Sequence, residues 1–295
     1  MILVTGATGF VGSRLIKRLA AQGELRATAR SITTVQLPIG VEAVPSDLTR
    51  PETLEPALEG VTTLVHTAAI TANLKEPYPG AYRAINETGT EDLMKSARRA
   101  GVTKVVLLSG LSAPAREGSY MATRLAMEEA VRSSGIPHVI LQPSVLFGDG
   151  AEFIAALARL AKVSPVLPLM GDPNLKFQPL WIEDLLRILE QTIASDELSG
   201  RTIPLGGPEQ VTFREVLETI CEAMHIRRLM VPLPLAIAGI QARGMAALLP
   251  RPPLTPATLE LFLYDNSTAL DAVKSAFGFQ PRGFREHLRK HGVTG

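Results

Sequence analysis

The sequence predicts an α/β protein built on a doubly wound parallel sheet. Three observations lead to this prediction. Short apolar runs alternate with amphipathic helical stretches through the first 150 residues. These runs are continuously apolar rather than alternating, as strands buried on both faces of a sheet require. A glycine-rich turn stands between the first apolar run and the first helix. Together these features are typical of a Rossmann-like domain.

The elements follow in chain order. The apolar runs predict six strands, at residues 2–4, 25–29, 41–45, 63–66, 105–108 and 139–141. The intervening segments predict helices at residues 11–19 with Gly23 as the C-cap, 49–60 from a capping-box spacing that starts at Thr49, 82–100, and 120–133. Asn86 is expected to hold a bulge in the third helix; the alternative is a plain surface residue.

The residue composition of the chain changes after Gly150. Prolines become frequent, and their density disfavours further regular strand–helix–strand units. A second capping box, from Thr212 to Glu215, opens a helix that runs to about His225. We therefore predict a dinucleotide-binding domain over residues 1–150. Residues 151–295 are predicted to form a smaller substrate or partner region on the carboxyl edge of the sheet, where open α/β folds bind their ligands.

Composition excludes several classes of protein. Of the 295 residues, 46% are hydrophobic, which is too many for a mainly disordered chain. The net charge of +1 argues against a protein that coats nucleic acid. The single cysteine, Cys221, indicates a reducing compartment, and no metal-ligand spacing occurs. Neither a signal peptide nor an apolar stretch long enough to span a bilayer is seen, so we expect a cytoplasmic protein.

The glycine-rich turn carries the functional prediction. Its glycines are spaced GxxGxxG directly after a strand and before a helix. A tight turn, a close approach to a pyrophosphate and close helix packing each need such a residue, and the helix start offers free N–H groups to phosphates. The alternative is a turn without a ligand. We predict a dinucleotide site that contains Gly6, Thr8, Gly9, Phe10, Val11 and Gly12.

The end of the second strand bears on the choice of cofactor. NAD-binding proteins usually place an acidic residue there for the ribose hydroxyls, but this chain has Arg30 and Ser31. Arginine pairs well with a 2′-phosphate, so NADP(H) is preferred over NAD(H), although a solvated surface arginine is the alternative. Asp47, followed by Leu48, either binds the adenine amino group or is a turn residue. Ala68 and Ala69 either make room for the cofactor or are a buried small pair.

These motifs resemble the short-chain dehydrogenase/reductase superfamily in its extended or atypical branches. The resemblance covers residues 1–150 and includes TGATGFVG at residues 5–12, HTAA at 66–69, NETGT at 86–90 and QPSVLFG at 142–148. It implies that Thr67 and Pro143 also contact the cofactor. Residues 177–184 are similar to a family segment near the substrate, and residues 250–266 are most similar to the NAD(P)H-binding accessory subunit of respiratory complex I and its bacterial relatives.

The resemblance also implies catalytic residues, with two departures. Active members carry Tyr-x-x-x-Lys, in which the tyrosine moves the proton and the lysine supplies charge and holds the nicotinamide ribose. Here the motif places Tyr120 before Arg124, so the charge is kept but a lysine is not. The position of the substrate-polarising hydroxyl is Gly110, with Ser109 and Ser112 as neighbours that could replace it. The alternative for Tyr120 is a structural tyrosine that opens a helix.

Two functional hypotheses follow. The first is an NADP(H)-dependent oxidoreductase or epimerase-type enzyme on a small carbonyl or alcohol substrate, with Tyr120, Arg124 and Ser109 or Ser112 in the site. The second is a non-catalytic NADPH-binding subunit of a respiratory-type complex. In that case the apolar, proline-rich residues 229–253 would dock on a protein complex or a membrane surface. A monomer and a homodimer are both compatible with the sequence.

Overall fold

The computed structural model describes residues 1–31, 36–111, 118–249, 252 and 254–293. Within them the strands are β1 (Ile2–Thr5), β2 (Leu25–Ala29), β3 (Val41–Pro45), β4 (Thr63–His66), β5 (Lys104–Leu108), β6 (His138–Pro143), β7 (Leu146–Phe147), β8 (Val166–Met170), β9 (Lys176–Phe177), β10 (Leu180–Trp181), β11 (Thr202–Leu205), β12 (Val211–Thr212) and β13 (Leu229–Leu233). The helices are α1 (Phe10–Leu19), α2 (Leu54–Leu58), α3 (Gly89–Arg99), α4 (Tyr120–Ser133), α5 (Glu152–Val163), α6 (Ile182–Ala194), α7 (Phe213–Ala223), α8 (Leu235–Leu248), α9 (Pro256–Glu260), α10 (Ala272–Phe277) and α11 (Phe284–His291).

Seven parallel strands form the central sheet, in the order β11-β6-β5-β4-β1-β2-β3. This is the predicted Rossmann-like, doubly wound sheet, and the prediction of fold class is confirmed. The order reverses direction at β1 and β4, so the crevice beyond their carboxyl ends is the place where such sheets bind ligands.

Successive strand residues face opposite sides of the sheet, and both sides are apolar. Val4 packs against α1 and α6 on one side of the sheet, whereas its neighbour Leu3 packs against α2, α3 and α4 on the other side. Burial on both faces is the reason that β1 and β5 contain continuous apolar runs in the sequence, whereas the edge strand β3 is largely exposed.

The chain after Gly150 contributes to this sheet as well. Helix α6 packs against α1, and β11 pairs in parallel with β6 as the edge strand. The prolines disfavour a further run of regular strand–helix–strand units, and the structure adds one parallel strand to the sheet after residue 150. Pro204 is tolerated because it lies on an edge strand, where one side of the backbone has no ladder partner. The division of the chain near residue 150 stays a prediction.

The remaining C-terminal elements surround a second apolar cluster. It contains five buried phenylalanines, and Phe147, Phe177, Phe262 and Phe284 are fully buried. Helices α5, α7, α8, α9 and α11 pack around it. Helix α7 begins with the predicted capping box, in which the Thr212 side chain accepts from the Glu215 N–H and the Glu215 carboxylate accepts from the Thr212 N–H.

Two local predictions are wrong. Helix α1 ends at Leu19, and Gly23, with φ of 137°, lies in the turn that leads into β2 rather than at the C-cap. Thr49 caps no helix: its hydroxyl donates to Asp47, and a 3₁₀ turn over Pro51–Thr53 precedes α2. Asp47 Oδ1 also accepts from the Thr49 N–H, the donor that a capping box would pair with Glu52, so Thr49 is held in a turn that begins at Asp47.

Candidate nucleotide-binding and active site

The glycine turn is shaped by close backbone contacts. Gly6 has φ of 75°, and a Cβ there would lie 3.0 Å from the backbone of Ala68. A Cβ on Gly12 would lie 2.3 Å from the Gly6 carbonyl oxygen and 2.9 Å from Thr67 Oγ1. The Gly9 N–H donates to the same carbonyl at 2.8 Å. These contacts explain two of the three glycines: a side chain at either Gly6 or Gly12 would push the turn apart.

The first turn of α1 presents free donors. Gly9 is the N-cap residue, no side chain caps the helix, and its first turn contains no acidic residue. The first intrahelical bond is donated by Ser13 to Gly9, so the N–H groups of Phe10, Val11 and Gly12 have no partner among the described residues. Thr8 and Gly9 are exposed on the outer side of the turn. Unpaired amides at a positive helix end fit a pyrophosphate.

A buried polar network supports this turn from below. Thr5 Oγ1 lies 2.8 Å from His66 Nδ1 and accepts from the N–H groups of Thr67 and Ala68, each at 3.2 Å. His66 Nε2 lies 3.1 Å from Thr90 Oγ1. Burial, reinforced by the charge of Arg124, lowers the pKa of His66 to about 3. His66 is therefore neutral and structural, and it fixes the start of the segment after β4.

The adenosine end of the predicted site lies beyond β2 and β3. Arg30 and Ser31 are exposed at the end of β2. Asp47 Oδ1 accepts from the Thr49 N–H and hydroxyl, so one carboxylate oxygen is used in a local turn. Leu48 packs beside Gly89 and α3. A cavity of about 230 Å³ opens next to the glycine turn, and its lining residues are Ala7, Thr8, Ser13, Ile16, Lys17, Gln36, Leu37 and Pro38.

Tyr120 and Arg124 lie one helical turn apart at the start of α4. The Tyr120 ring meets the Tyr82 ring edge to face, with centroids 5.3 Å apart. The Tyr120 hydroxyl has no hydrogen-bond partner in the part of the chain that the structure describes, whereas the Tyr82 hydroxyl donates to the Leu74 carbonyl at 2.6 Å. Burial raises the pKa of Tyr82 to about 12. Tyr82 is thus a packing partner, and Tyr120 has the hydroxyl that is free to meet a ligand.

The Arg124 guanidinium is buried and occupied. It donates to the Leu108 carbonyl at 3.0 Å, at the end of β5, and it lies 3.7 Å from Met127 Sδ. Its charge also lowers the pKa of His66, at the end of β4. The structure therefore brings a fixed positive charge to the carboxyl ends of β4 and β5.

Ser109 faces a different partner from the one predicted. Its hydroxyl donates to Glu128 Oε1 at 2.6 Å, and both residues are buried. The same carboxylate accepts from Gln142 Nε2 at 2.8 Å and from Arg132 at 2.7 Å. Ser112 lies outside the described residues. Pro143 is buried at the end of β6, where its carbonyl accepts from the Leu111 N–H at 3.0 Å.

The predicted bulge in the third helix is confirmed. Residues Arg83–Thr88 form a π-helical segment that leads into α3. Asn86 is fully buried there; its Oδ1 accepts from the Ile70 N–H at 2.9 Å, and its Nδ2 donates to the Ile70 carbonyl at 3.0 Å. The side chain therefore pairs with the loop after β4 rather than with its own helix. A π-bulge of this kind is frequent at functional sites.

One site residue has no signal in the sequence. Glu260, at the end of α9, accepts from the backbone N–H groups of Tyr120 at 3.0 Å and Met121 at 2.9 Å. It adds to the N-cap of α4, where Ser119 Oγ accepts from the Ala122 N–H. The contact joins residues 140 positions apart, so no local pattern predicts it. Through it the C-terminal region holds the helix that carries Tyr120.

Two features are absent from the described residues. No helix there is long and apolar enough to cross a membrane. No group of three or more histidine, cysteine or carboxylate side chains is arranged to hold a metal ion.

Comparison with known proteins shows the family. A family model described as NAD(P)H-binding matches residues 6–159. Ceramide reductase of Caulobacter vibrioides is 32% identical over 180 residues, which are 59% of this chain and 55% of that protein, so the match spans about half of the relative. NADH dehydrogenase [ubiquinone] 1 alpha subcomplex subunit 9 of Arabidopsis thaliana is 26% identical over 284 residues, 90% of this chain and 68% of that protein.

Solved structures agree on the fold. The UDP-glucose 4-epimerase of Thermus thermophilus, in complex with NAD, superimposes with a TM-score of 0.72 at 24% identity and covers 98% of this chain and 96% of its own. At this level of identity the likeness establishes the architecture of the sheet and its flanking helices.

Proposed function

The chain belongs to the NAD(P)H-binding family, of short-chain dehydrogenase/reductase and epimerase type, and we propose that it is an oxidoreductase or epimerase-type enzyme acting on a small carbonyl or alcohol substrate. One juxtaposition supports this proposal above all others. The glycine turn follows β1, and the Tyr120–Arg124 pair adjoins the end of β5, two strands away in the same parallel sheet. Strand spacing makes that separation roughly 10 Å, which an extended dinucleotide covers.

The residues of this chain divide the proposed work. The free amides of Phe10, Val11 and Gly12 would hold the pyrophosphate. A bound nicotinamide supplies or accepts a hydride. The Tyr120 hydroxyl would give a proton to the substrate oxygen during reduction and take it back during oxidation. Arg124, held by the Leu108 carbonyl, keeps a positive charge beside this step; because a guanidinium does not release its proton, Arg124 contributes charge and not proton transfer.

Ser109 is not part of the proposed catalytic group. The Ser109 hydroxyl has one hydrogen, and it donates this hydrogen to the buried Glu128 carboxylate. Turning the hydroxyl toward a substrate would leave that carboxylate with one donor fewer. Gly110 lies beside it: among the described residues, the nearest atom to a Cβ there would be the Pro143 carbonyl oxygen, at 3.7 Å. The substrate oxygen would therefore be oriented by Tyr120 without a strand-end serine, unless Ser112 supplies the hydroxyl.

The test compares two tyrosines that touch each other. In Tyr120→Phe we expect turnover of NADPH with a responsive carbonyl to fall by about 10²- to 10⁴-fold, the usual contribution of a general acid. The matched variant Tyr82→Phe should keep turnover and lose about 1 kcal/mol of stability with its hydrogen bond to Leu74. Turnover is measured by absorbance of the reduced nicotinamide across a carbonyl panel.

Two outcomes would contradict the proposed activity. Equal turnover in the two variants would remove Tyr120 from the chemistry. Tightly co-purified NADPH that stays reduced with every carbonyl and never exchanges would indicate the non-catalytic nucleotide-binding subunit instead.

We also propose a preference for NADP(H) over NAD(H). Support comes from the charge at the adenosine end: no acidic residue ends β2, Arg30 is exposed there, and Lys17 lines the 230 Å³ cavity beside the glycine turn. Hydrogen bonds to charged groups contribute about 1.5–3 kcal/mol, so Arg30→Glu should weaken NADPH relative to NADH by about 10- to 100-fold. The control is Arg98→Glu, an equal charge change on exposed α3. Unchanged relative affinities in Arg30→Glu would remove Arg30 from the site.

A further inference from the structure

Exposed apolar side chains are concentrated on one part of the molecule. Among the described residues, eight of the thirteen large hydrophobic side chains that are exposed lie between residues 163 and 249. They belong to the end of α5, to the paired strands β8 and β13, and to α8 with the residue after it. We call this set the apolar face, and its members are Val163, Val166, Leu229, Val231, Ile237, Ile240, Leu248 and Leu249.

Helix α8 has the composition of a buried helix in an exposed position. Among its 14 residues only Gln241 and Arg243 are polar. Yet only Ala238 and Ala242 are buried, while Ile240 is 71% and Leu248 is 84% exposed. A helix that is apolar all round normally lies in a protein core or in lipid. The inner side of α8 meets the second apolar cluster, and its outer side meets nothing in the described chain.

The two-stranded ribbon repeats this pattern. Its parallel register places Leu229 beside Val166 and Val231 beside Pro168. Leu229, Val231 and Val166 are exposed, whereas Leu167 of β8 is buried in the second apolar cluster. A ribbon with one face in a core normally shows polar side chains on the other face. Here the outer face is apolar as well.

Charge decides what this surface fits. The sequence contains no aspartate or glutamate from residue 153 to 171 or from 223 to 259, the two stretches that supply the apolar face. Lys162, Arg227 and Arg243 are exposed there, and none of them forms an ion pair with a carboxylate in the described part of the chain. A surface that is apolar, basic and free of acid is complementary to an anionic lipid surface.

We propose that the apolar face docks on the surface of a membrane that contains anionic phospholipid, with α8 lying in the plane of the headgroups. At 1.5 Å per residue the 14-residue helix is about 21 Å long, shorter than the roughly 30 Å of a hydrocarbon core, so it lies on the bilayer rather than across it. A second copy of the chain is a poorer occupant, because it would bring the same unpaired cations to the interface. This inference is independent of the proposed oxidoreductase activity.

The experiment measures sedimentation of the purified full chain with vesicles. One set contains phosphatidylcholine alone and the other contains phosphatidylglycerol in phosphatidylcholine. We expect binding to the second set that weakens as salt rises. Each basic residue near such a surface contributes about fivefold to the partition coefficient, so Arg227→Gln with Arg243→Gln should reduce it about 25-fold. The control is Arg98→Gln with Arg214→Gln, which removes the same charge from exposed positions elsewhere.

A second pair of variants tests the apolar contribution. Ile237→Ser with Ile240→Ser should reduce vesicle binding by at least about tenfold, whereas Ile39→Ser with Leu270→Ser, at exposed positions outside the apolar face, should not change it. Thermal unfolding checks that all variants fold. The proposal is overturned if no vesicle binds the wild-type chain at low salt, or if phosphatidylcholine binds it equally well. It is also overturned if light scattering finds a dimer that Ile237→Ser with Ile240→Ser dissociates.

Discussion

A single methyl group at Gly12 should disrupt the glycine turn. Residue 12 lies inside α1, where alanine is intrinsically about 1 kcal/mol more favourable than glycine. In this position, however, the new Cβ would lie 2.3 Å from the Gly6 carbonyl oxygen, and real Cβ atoms essentially never approach closer than 3.0 Å. The carbonyl must therefore retreat by at least about 0.7 Å. It is a backbone atom, and it also accepts the Gly9 N–H at 2.8 Å.

The magnitude follows from these opposing effects. Overpacking costs about 1–3 kcal/mol, and a backbone neighbour that cannot rotate away favours the upper part of that range. After the helix-propensity gain is subtracted, we expect Gly12→Ala to lower the free energy of unfolding by about 1–2 kcal/mol. It should also weaken NADPH binding, because the displaced turn moves the amides that would hold the pyrophosphate.

Helix α8 supplies the matched control. Gly244 also lies inside a helix, but a Cβ there would meet no atom of the described residues within 4 Å. Gly244→Ala should therefore stabilise the protein by up to about 1 kcal/mol. Since 1 kcal/mol corresponds to about 2–4 °C in a protein of this size, the Tm values of the two variants should differ by about 2–12 °C. The assay is thermal and urea unfolding, with and without NADPH.

The result that would refute this reasoning is simple to recognise. If Gly12→Ala and Gly244→Ala are equally stable, the close approach of α1 to the Gly6 carbonyl does not constrain the turn. If Gly12→Ala is destabilised but binds NADPH as tightly as the wild type, the turn is a structural feature and not the phosphate site.

Three further predictions concern buried polar groups. Burial holds the pKa of His66 near 3 in the folded chain, whereas the unfolded value is about 6.5, so as the pH falls below 6.5 the unfolded chain binds a proton that the folded chain does not bind. The free energy of unfolding should therefore fall by about 2–3 kcal/mol between pH 7 and pH 4.5, and urea midpoints of His66→Gln should lack this part of the decline. Ser109→Ala should cost about 1–2 kcal/mol of stability by leaving Glu128 with one donor fewer, yet leave kcat unchanged; a kcat loss of 100-fold or more would return Ser109 to the catalytic group. Asn86→Ala should cost about 2–4 kcal/mol in urea unfolding because both Ile70 backbone groups lose their partner, and a loss below about 0.5 kcal/mol would show that they are satisfied without it.

Local chemistry explains which parts of the fold were predictable. The strands at Leu25–Ala29, Val41–Pro45 and Thr63–His66, and the helix at Tyr120–Ser133, have the predicted bounds. Each is marked by its own residues: a short run rich in apolar residues between turn residues, or an amphipathic stretch at helical spacing. The wrong cap at Thr49 shows the limit of this logic, since Asp47 accepts the Thr49 N–H that the pattern assigned to Glu52.

The half of the candidate site around the glycine turn was predictable from the sequence, whereas the half around Tyr120 was not. The glycine turn, its strand and its helix are contiguous, so spacing alone located the groups that would meet a pyrophosphate. The neighbourhood of Tyr120 is assembled from distant segments. Glu260, which accepts from the start of α4, belongs to α9, and Tyr82, which packs on the Tyr120 ring, directly precedes the π-helical segment. No local pattern joins them.

The sequence by itself determined the class of the protein, because apolar periodicity and glycine spacing are properties of a single chain segment and its immediate neighbours. Tertiary structure alone decided which strand became the seventh, why the Ser109 hydroxyl turns to Glu128, and that an apolar helix is left half exposed. These outcomes depend on packing and on competition for hydrogen bonds between residues far apart in the chain, and neither is written in any one segment.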